Sequence, residues 1–479
     1  MGELPRACDR CHAIKERCEW MPNGSQCERC FRLQYVCETI RPKGRPGRKP
    51  GARVKQSFAG VRSAPRKGKN TIHRDGRLSN WAGAQRMLRS GHATIPNSIP
   101  ELNMGDTPAG DQHLVRQFLF NSRLLDIFSV GSSFSERVRR QVVPHMLFSQ
   151  AKFLDGLLAC AISWNGDIDD DQTNSRRLSV CYRHASSAIA LLTSLQVSDF
   201  ESMIDCLMLG ALVSTFAVKL RLHDILAICR RTLGLIEPIY VTSNPDRPEL
   251  RVFTTCMIVW ELRACLFSCA VPTLRFRPPA EPHADRHVGL SGTLLPLFYD
   301  ICKLSYAIAQ AETIDAVILG ELDAVEQSVR HWQPVVPEDM TTQFGTVEVT
   351  HMICQAQAMQ AAALLVTHRL RYPFGVNDGP AQVLSMTILT QIEMIFTITK
   401  QPVRCIDLPL LVACIELKDA GREKWSSSIA TFAGFSPEFG EHVGDALQSY
   451  WTTIDTFDTV SWKNLVVSGS PFLRNPTAT

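Results

Sequence analysis

Six cysteines crowd the start of the chain at the spacing Cys8-x2-Cys11-x6-Cys18-x8-Cys27-x2-Cys30-x6-Cys37. The run is two near-copies of C-x2-C-x6-C joined by an eight-residue loop. Thiolates clustered in this way are ligands for zinc, which takes four in a tetrahedron. Two zinc ions need about eight coordination positions, so six sulfurs serve two ions only if two of them bridge both metals. A C-x2-C step at the start of a helical turn aims both sulfurs at one metal. The third cysteine returns to it after the chain has turned. Each repeat would then build half of a shared binuclear centre. His12 follows Cys11 directly, but six sulfurs suffice without it.

This segment, residues 5–40, resembles the Zn(II)2Cys6 binuclear cluster of fungal transcription factors. The resemblance implies that the first and fourth cysteines, Cys8 and Cys27, bridge the metals, and Pro22 stands in the inter-repeat loop where relatives place a proline. It also implies that the short helix after the first two cysteines enters the major groove and reads a CGG-type triplet. The family pattern there resembles C-D-x-C-R-x-R-K-x-K-C. This chain reads Cys8-Asp9-Arg10-Cys11-His12-Ala13-Ile14-Lys15-Glu16-Arg17-Cys18, departing at His12, Ile14 and Glu16. Lys15 falls on the base-contacting lysine, where a cation faces guanine O6 and N7. Arg17 matches a basic position that touches phosphate, which positions the protein without specifying sequence. Arg10 and His12 complete the DNA-facing set on this stretch.

Residues 41–69 hold eleven Lys+Arg and no acid, interspersed with Pro and Gly, and read as a flexible basic linker. Its core, Lys43-Gly44-Arg45-Pro46 followed by Arg48 and Lys49, resembles an AT-hook. Glycine lets such a backbone sink into a narrow minor groove, whose negative potential draws the flanking cations. A nuclear-localisation signal and an unspecific phosphate-binding arm are equally open readings. Residues 50–110 contain no run of three heptads. Dimerisation therefore lies elsewhere, or the protein binds as a monomer.

Charge is divided along the chain in the same sense. Residues 1–100 carry 21 Lys+Arg against 7 Asp+Glu, a surplus of +14, which leaves 30 against 40 in the other 379. A basic head on a mildly acidic body points the head at a polyanion. The opening Met1-Gly2-Glu3-Leu4-Pro5-Arg6 lacks the apolar core of a signal peptide. The longest apolar stretch, Cys206 to Val218, falls short of the roughly 20 residues a membrane span needs. A soluble, intracellular protein is expected, in which reducing conditions favour metal over disulfides.

From about residue 111 the pattern is helical nearly to the end. Ser133 with Glu136, and Ser198 with Glu201, have capping-box spacing. Tyr182 to Leu195 repeats small, apolar and basic residues at helical spacing, and Ile225, Ile228, Cys229 and Leu233 would share one helix face. Breaks near 244–248, 277–283, 334–338 and 372–380 divide the region into twelve or more helices. Cys265 and Cys269, four apart, read as buried thiols on one helix face. The segments Cys181–Ala185 and Ala227–Leu233 resemble helices of the fungal-specific regulatory domain, which implies regulation, partner binding or dimerisation.

The organisation expected is mostly α: a small zinc-cluster domain at 5–40, a basic, partly disordered linker at 41–110, and a large all-α regulatory domain at 111–479. The function expected is a nuclear transcription factor on double-stranded DNA with two Zn2+ ions, a homodimer through the helical domain or a monomer, acting on a metabolic or secondary-metabolite pathway under an unidentified small-molecule effector. The alternative is a nuclear zinc-dependent protein-interaction module that reads no sequence. Compact catalytic signatures are absent: no G-x-S-x-G, H-E-x-x-H, P-loop or G-x-G-x-x-G. No enzyme is expected.

Overall fold

The computed structural model describes residues 7–8, 11, 18–21, 26–32, 37, 39, 107–120, 129–134, 143, 145–146, 150–164, 171–220, 225–242, 248–432 and 437–469. They fall into two units, one within Met1–Asn80 and the other within Trp81–Thr479. Among the described residues the secondary structure is helical, with isolated β-bridges in place of strands.

The small unit contains one described helix, α1 (Glu28–Arg32). The large unit begins with α2 (Ala109–Phe120), α3 (Gln150–Trp164), α4 (Asp171–Ser194), α5 (Phe200–Lys219), α6 (Ile225–Thr242) and α7 (Pro248–Leu266). It continues with α8 (Leu295–Gln310), α9 (Ala316–His331), α10 (Met340–Gln343), α11 (Thr346–Arg371) and α12 (Asp378–Thr399). The last four are α13 (Asp407–Ile415), α14 (Asp419–Phe432), α15 (Pro437–Thr456) and α16 (Trp462–Gly469). The expected helices at 182–195 and 224–235 fall on α4 and α6, with Leu195 just past the end of α4 and Asp224 outside the described residues.

Two apolar helices organise the packing. Helix α5 reads FESMIDCLMLGALVSTFAVK and is hydrophobic nearly all round, so neighbours must cover every side of it. Helices α3, α4, α6 and α7 do so. The short α13 plays the same part further on: every one of its residues is buried, against α11, α12, α14 and α15. Where α6 ends, Arg277 donates from Nη1 to the carbonyls of Tyr240 and Val241 at 3.3 and 2.9 Å. That satisfies acceptors the helix itself leaves open.

Three expectations need correction. The apolar stretch around Cys206–Val218 belongs to a 20-residue helix, so α5 is long and apolar enough to cross a membrane by length and composition, as is α12. Most of the apolar window of α5, 78%, is packed inside the unit, as in a core helix; the figure for α12 is 33%. Second, the box that opens α5 starts at Asp199, whose carboxylate accepts the Ser202 N–H at 2.8 Å while Ser202 Oγ receives the Asp199 N–H at 3.1 Å. The box is thus formed one residue later than the expected Ser198–Glu201 pair. Third, α7 ends at Leu266, so Cys269 sits beyond it with a positive φ of 45°. Both Cys265 and Cys269 are nevertheless buried, as expected.

Two buried ion pairs cross-link distant helices. Arg369 on α11 donates from Nε and Nη2 to the two carboxylate oxygens of Glu416 at 2.7 and 2.5 Å, with Asp378 at 3.0 Å as a second acidic partner. On α5, the buried Asp205 accepts from Lys152 and pairs with His145 Nε2 at 3.1 Å.

Candidate metal centre

Cys27 leads into α1, and the first turn of that helix brings Cys30 back beside it. The backbone N–H of Cys30 points at Cys27 Sγ at 3.4 Å. The first half repeats this: the N–H of Cys11 points at Cys8 Sγ, also at 3.4 Å. The third cysteine of each half closes back in the same way. Cys8 N–H meets Cys18 Sγ at 3.3 Å, and Cys27 N–H meets Cys37 Sγ at 3.2 Å. The repeat seen in the spacing is therefore a repeat in three dimensions. Backbone N–H groups aimed at sulfur favour the thiolate form.

The loop between the halves is pinned by an antiparallel bridge between Trp20 and Cys27. Met21 N–H donates to the Gln26 carbonyl at 3.1 Å, and Glu28 N–H to the Glu19 carbonyl at 2.8 Å. Trp20 packs against the sulfurs. Sequence reasoning missed it; its only signal is a large aromatic within a short polar segment.

The sulfurs of Cys8, Cys11, Cys27 and Cys30 all lie within 4.8 Å of one another and are buried. The Cys8–Cys27, Cys8–Cys30 and Cys11–Cys27 Sγ separations are each 3.8 Å. A tetrahedron with Zn–S bonds of about 2.3 Å has edges of about 3.8 Å. The residues thus fit a metal ion. Cys18 and Cys37 flank the four at half-buried positions.

Burial pushes most of these thiols up, Cys11 to about 12, with its hydrogen bonds to Cys8 and Cys27 adding to the effect. Cys8 and Cys27 go the other way. Burial alone would raise Cys27, but the Cys30 N–H and the surrounding thiols hold it down to about 6. Cys8 is lowered by the Cys11 N–H in the same sense, again against burial. The two cysteines at the geometric centre are those drawn toward the charged, ligating form.

All six cysteines expected to ligate are brought into one cluster. Arg10, His12, Lys15, Arg17, Lys43, Arg45, Arg48 and Lys49 lie outside the described residues. The other eleven cysteines are dispersed through the helical unit, and none of the seventeen is in a disulfide. No protein family, curated protein or solved structure matches the chain.

Proposed function

We propose that this chain is a nuclear, sequence-specific DNA-binding transcription regulator whose head is folded by two zinc ions. The observation that carries the reading is the twofold repetition of N–H···S contacts around Cys8 and Cys27. Those two sulfurs are central to both halves, as bridging ligands would be. Cys11 with Cys18 would complete one ion's shell, and Cys30 with Cys37 the other's. Bound zinc would supply the fold of the head, since so short a segment has little core of its own. Lys15 would then read guanine, Arg17 with Arg10 and His12 would hold phosphates, and the basic run with Lys43, Arg45, Arg48 and Lys49 would add affinity along the minor groove or backbone. The surplus of +14 over residues 1–100 supports a polyanionic partner. The helical unit is assigned regulation by binding rather than catalysis, through a second copy or an effector.

The test is selection of sites from random duplex DNA by the full chain, with zinc and with a chelator. Enrichment of CGG-containing duplexes that vanishes on chelation is expected. Zinc-dependent folding with no enriched sequence would defeat the base-reading role.

One observation favours a second reading: Phe31, beside Cys30 on α1, is 55% exposed. An aromatic offered to solvent suits a protein partner of the zinc head. Salt separates the two, because counterion release makes DNA affinity fall steeply as salt rises.

A further inference from the structure

Ser133, read above with Glu136 as a helix start, has a partner far along the chain, Glu136 itself lying outside the described residues. Ser133 donates its N–H to Glu348 Oε1 at 2.8 Å and its hydroxyl to Oε2 at 2.5 Å. The Ser132 hydroxyl reaches Oε1 at 3.5 Å. Glu348 lies in the first turn of α11 and also accepts the Gly345 N–H at 3.1 Å.

Around this carboxylate the chain is docked as a latch. Val130 N–H donates to the Arg286 carbonyl at 2.7 Å, and the Phe134 ring stacks on Phe344 at 4.9 Å. Ser129, Val130, Gly131 and Phe134 are buried, while Ser132 and Ser133 are exposed. Gly131 fits because it has no side chain: a Cβ there would lie 2.4 Å from Glu348 Oε1. The Ser133 N–H and two solvent-facing hydroxyls therefore add to that hold through a single carboxylate.

We propose that Ser133 is a phosphorylation site, taken by a serine kinase that reads the acidic residue three positions on, and that its phosphate releases residues 129–134 from Glu348. Glu136 supplies that acidic residue in the sequence. In the transfer, Ser133 Oγ attacks the γ-phosphorus of a nucleoside triphosphate. The new O–P bond forms as the bond to the β–γ bridging oxygen breaks. The nucleoside diphosphate leaves, and the hydroxyl proton passes to the kinase's base. Modification removes the hydroxyl donor and places a charge of about −1.5 to −2 against a carboxylate. Attraction becomes repulsion at the point where the segment is held. The kinase meets the hydroxyl, which faces solvent, during brief local openings of the segment.

The experiment treats the full chain with an acid-directed serine kinase and γ-labelled ATP, maps the label by peptide mass, and follows amide exchange. Label at Ser133 is expected, with at least about tenfold faster exchange at residues 129–134 and unchanged exchange in α5. Ser133→Ala should take no label at this peptide, and Glu348→Gln should blunt the acceleration in the phosphorylated chain. If Ser133→Ala fails to fold, the exchange of the phosphorylated native chain still decides. No label at Ser133, label confined to Ser132 or Ser135, label without faster exchange, or equal acceleration in Glu348→Gln would each overturn the proposal.

Discussion

The sulfurs of Cys8 and Cys27 meet at 3.8 Å although nineteen positions separate the two residues in the chain. Each also lies beside the second cysteine of a C-x2-C step. Removing either one therefore disturbs both halves at once. On the proposed two-ion reading, atomic emission should find two zinc ions per wild-type chain and well under one in Cys8→Ala or Cys27→Ala. Cys18→Ala and Cys37→Ala, at the half-buried margins, should each retain at least one. Equal losses in all four variants would rule out a shared pair of ligands.

Lys15 and Lys43 should separate base reading from phosphate binding. Lys15→Ala is expected to lower affinity for the selected duplex about 10- to 100-fold while sparing scrambled DNA, the scale of one lost base contact. Lys43→Ala should weaken both duplexes alike and reduce the salt slope by about one. Titration of each variant at several salt concentrations measures both effects.

The Arg369–Glu416 pair should be costly to break from one side. Both side chains are almost wholly buried, and burial already pushes the Glu416 carboxyl up against the pull of Arg369. Glu416→Ala leaves the buried guanidinium with Asp378 as its remaining carboxylate partner, and should lower stability by up to about 3 kcal/mol in urea unfolding, the lower end for breaking a buried pair. A joint replacement of Arg369, Glu416 and Asp378 by apolar residues of similar size should recover much of that loss.

Asp205 should leave an acid-side signature. Burial would raise its carboxyl, but His145 and Lys152 outweigh it and hold the group below the usual carboxylate range. A group whose folded value is depressed contributes stability above its unfolded value, about 3.9, and loses it as pH falls through the folded value. The urea midpoint of the wild type should therefore drop more steeply below about pH 4 than that of Asp205→Asn. Parallel pH profiles would count against the pair.

Thiol reactivity should divide the chain in two. Burial raises the helical unit's thiols, Cys206 and Cys354 each to about 12. At neutral pH they present almost no thiolate to a reagent. On the proposed two-zinc reading, chelation should unfold the head and free its six cysteines for fast alkylation, with the remaining eleven reacting only after denaturant is added.

The cysteine cluster was legible in the sequence because metal coordination dictates both residue type and spacing. The helices were legible wherever an apolar face repeats every three or four residues, as at Ile225, Ile228, Cys229 and Leu233. The Ser198 cap was misplaced by one because Asp199 and Ser202 satisfy the same interval, and only hydrogen-bond geometry chooses between them. Glu416 facing Arg369, and Glu348 facing Ser133, have no local signature at all. Their partners lie 47 and 215 positions away, and pairing at such range is set by how the helices stack. The DNA-facing residues named from the sequence lie outside the described residues.

The latch at Ser129–Phe134 has a consequence for how the chain is made. Its partners Arg286, Phe344 and Glu348 belong to the later part of the chain, with Glu348 emerging from the ribosome 215 residues after Ser133. At 5–20 residues per second that is a wait of roughly 10–40 s. During that interval Val130 and Phe134, buried in the finished protein, lack the Arg286 carbonyl and the Phe344 ring that later meet them. The early helices can associate around α5 as they emerge, but the strip ahead of them waits for these partners until α11 arrives. A nascent chain halted before residue 344 should therefore offer this strip to a holding chaperone, and one halted after α11 should not.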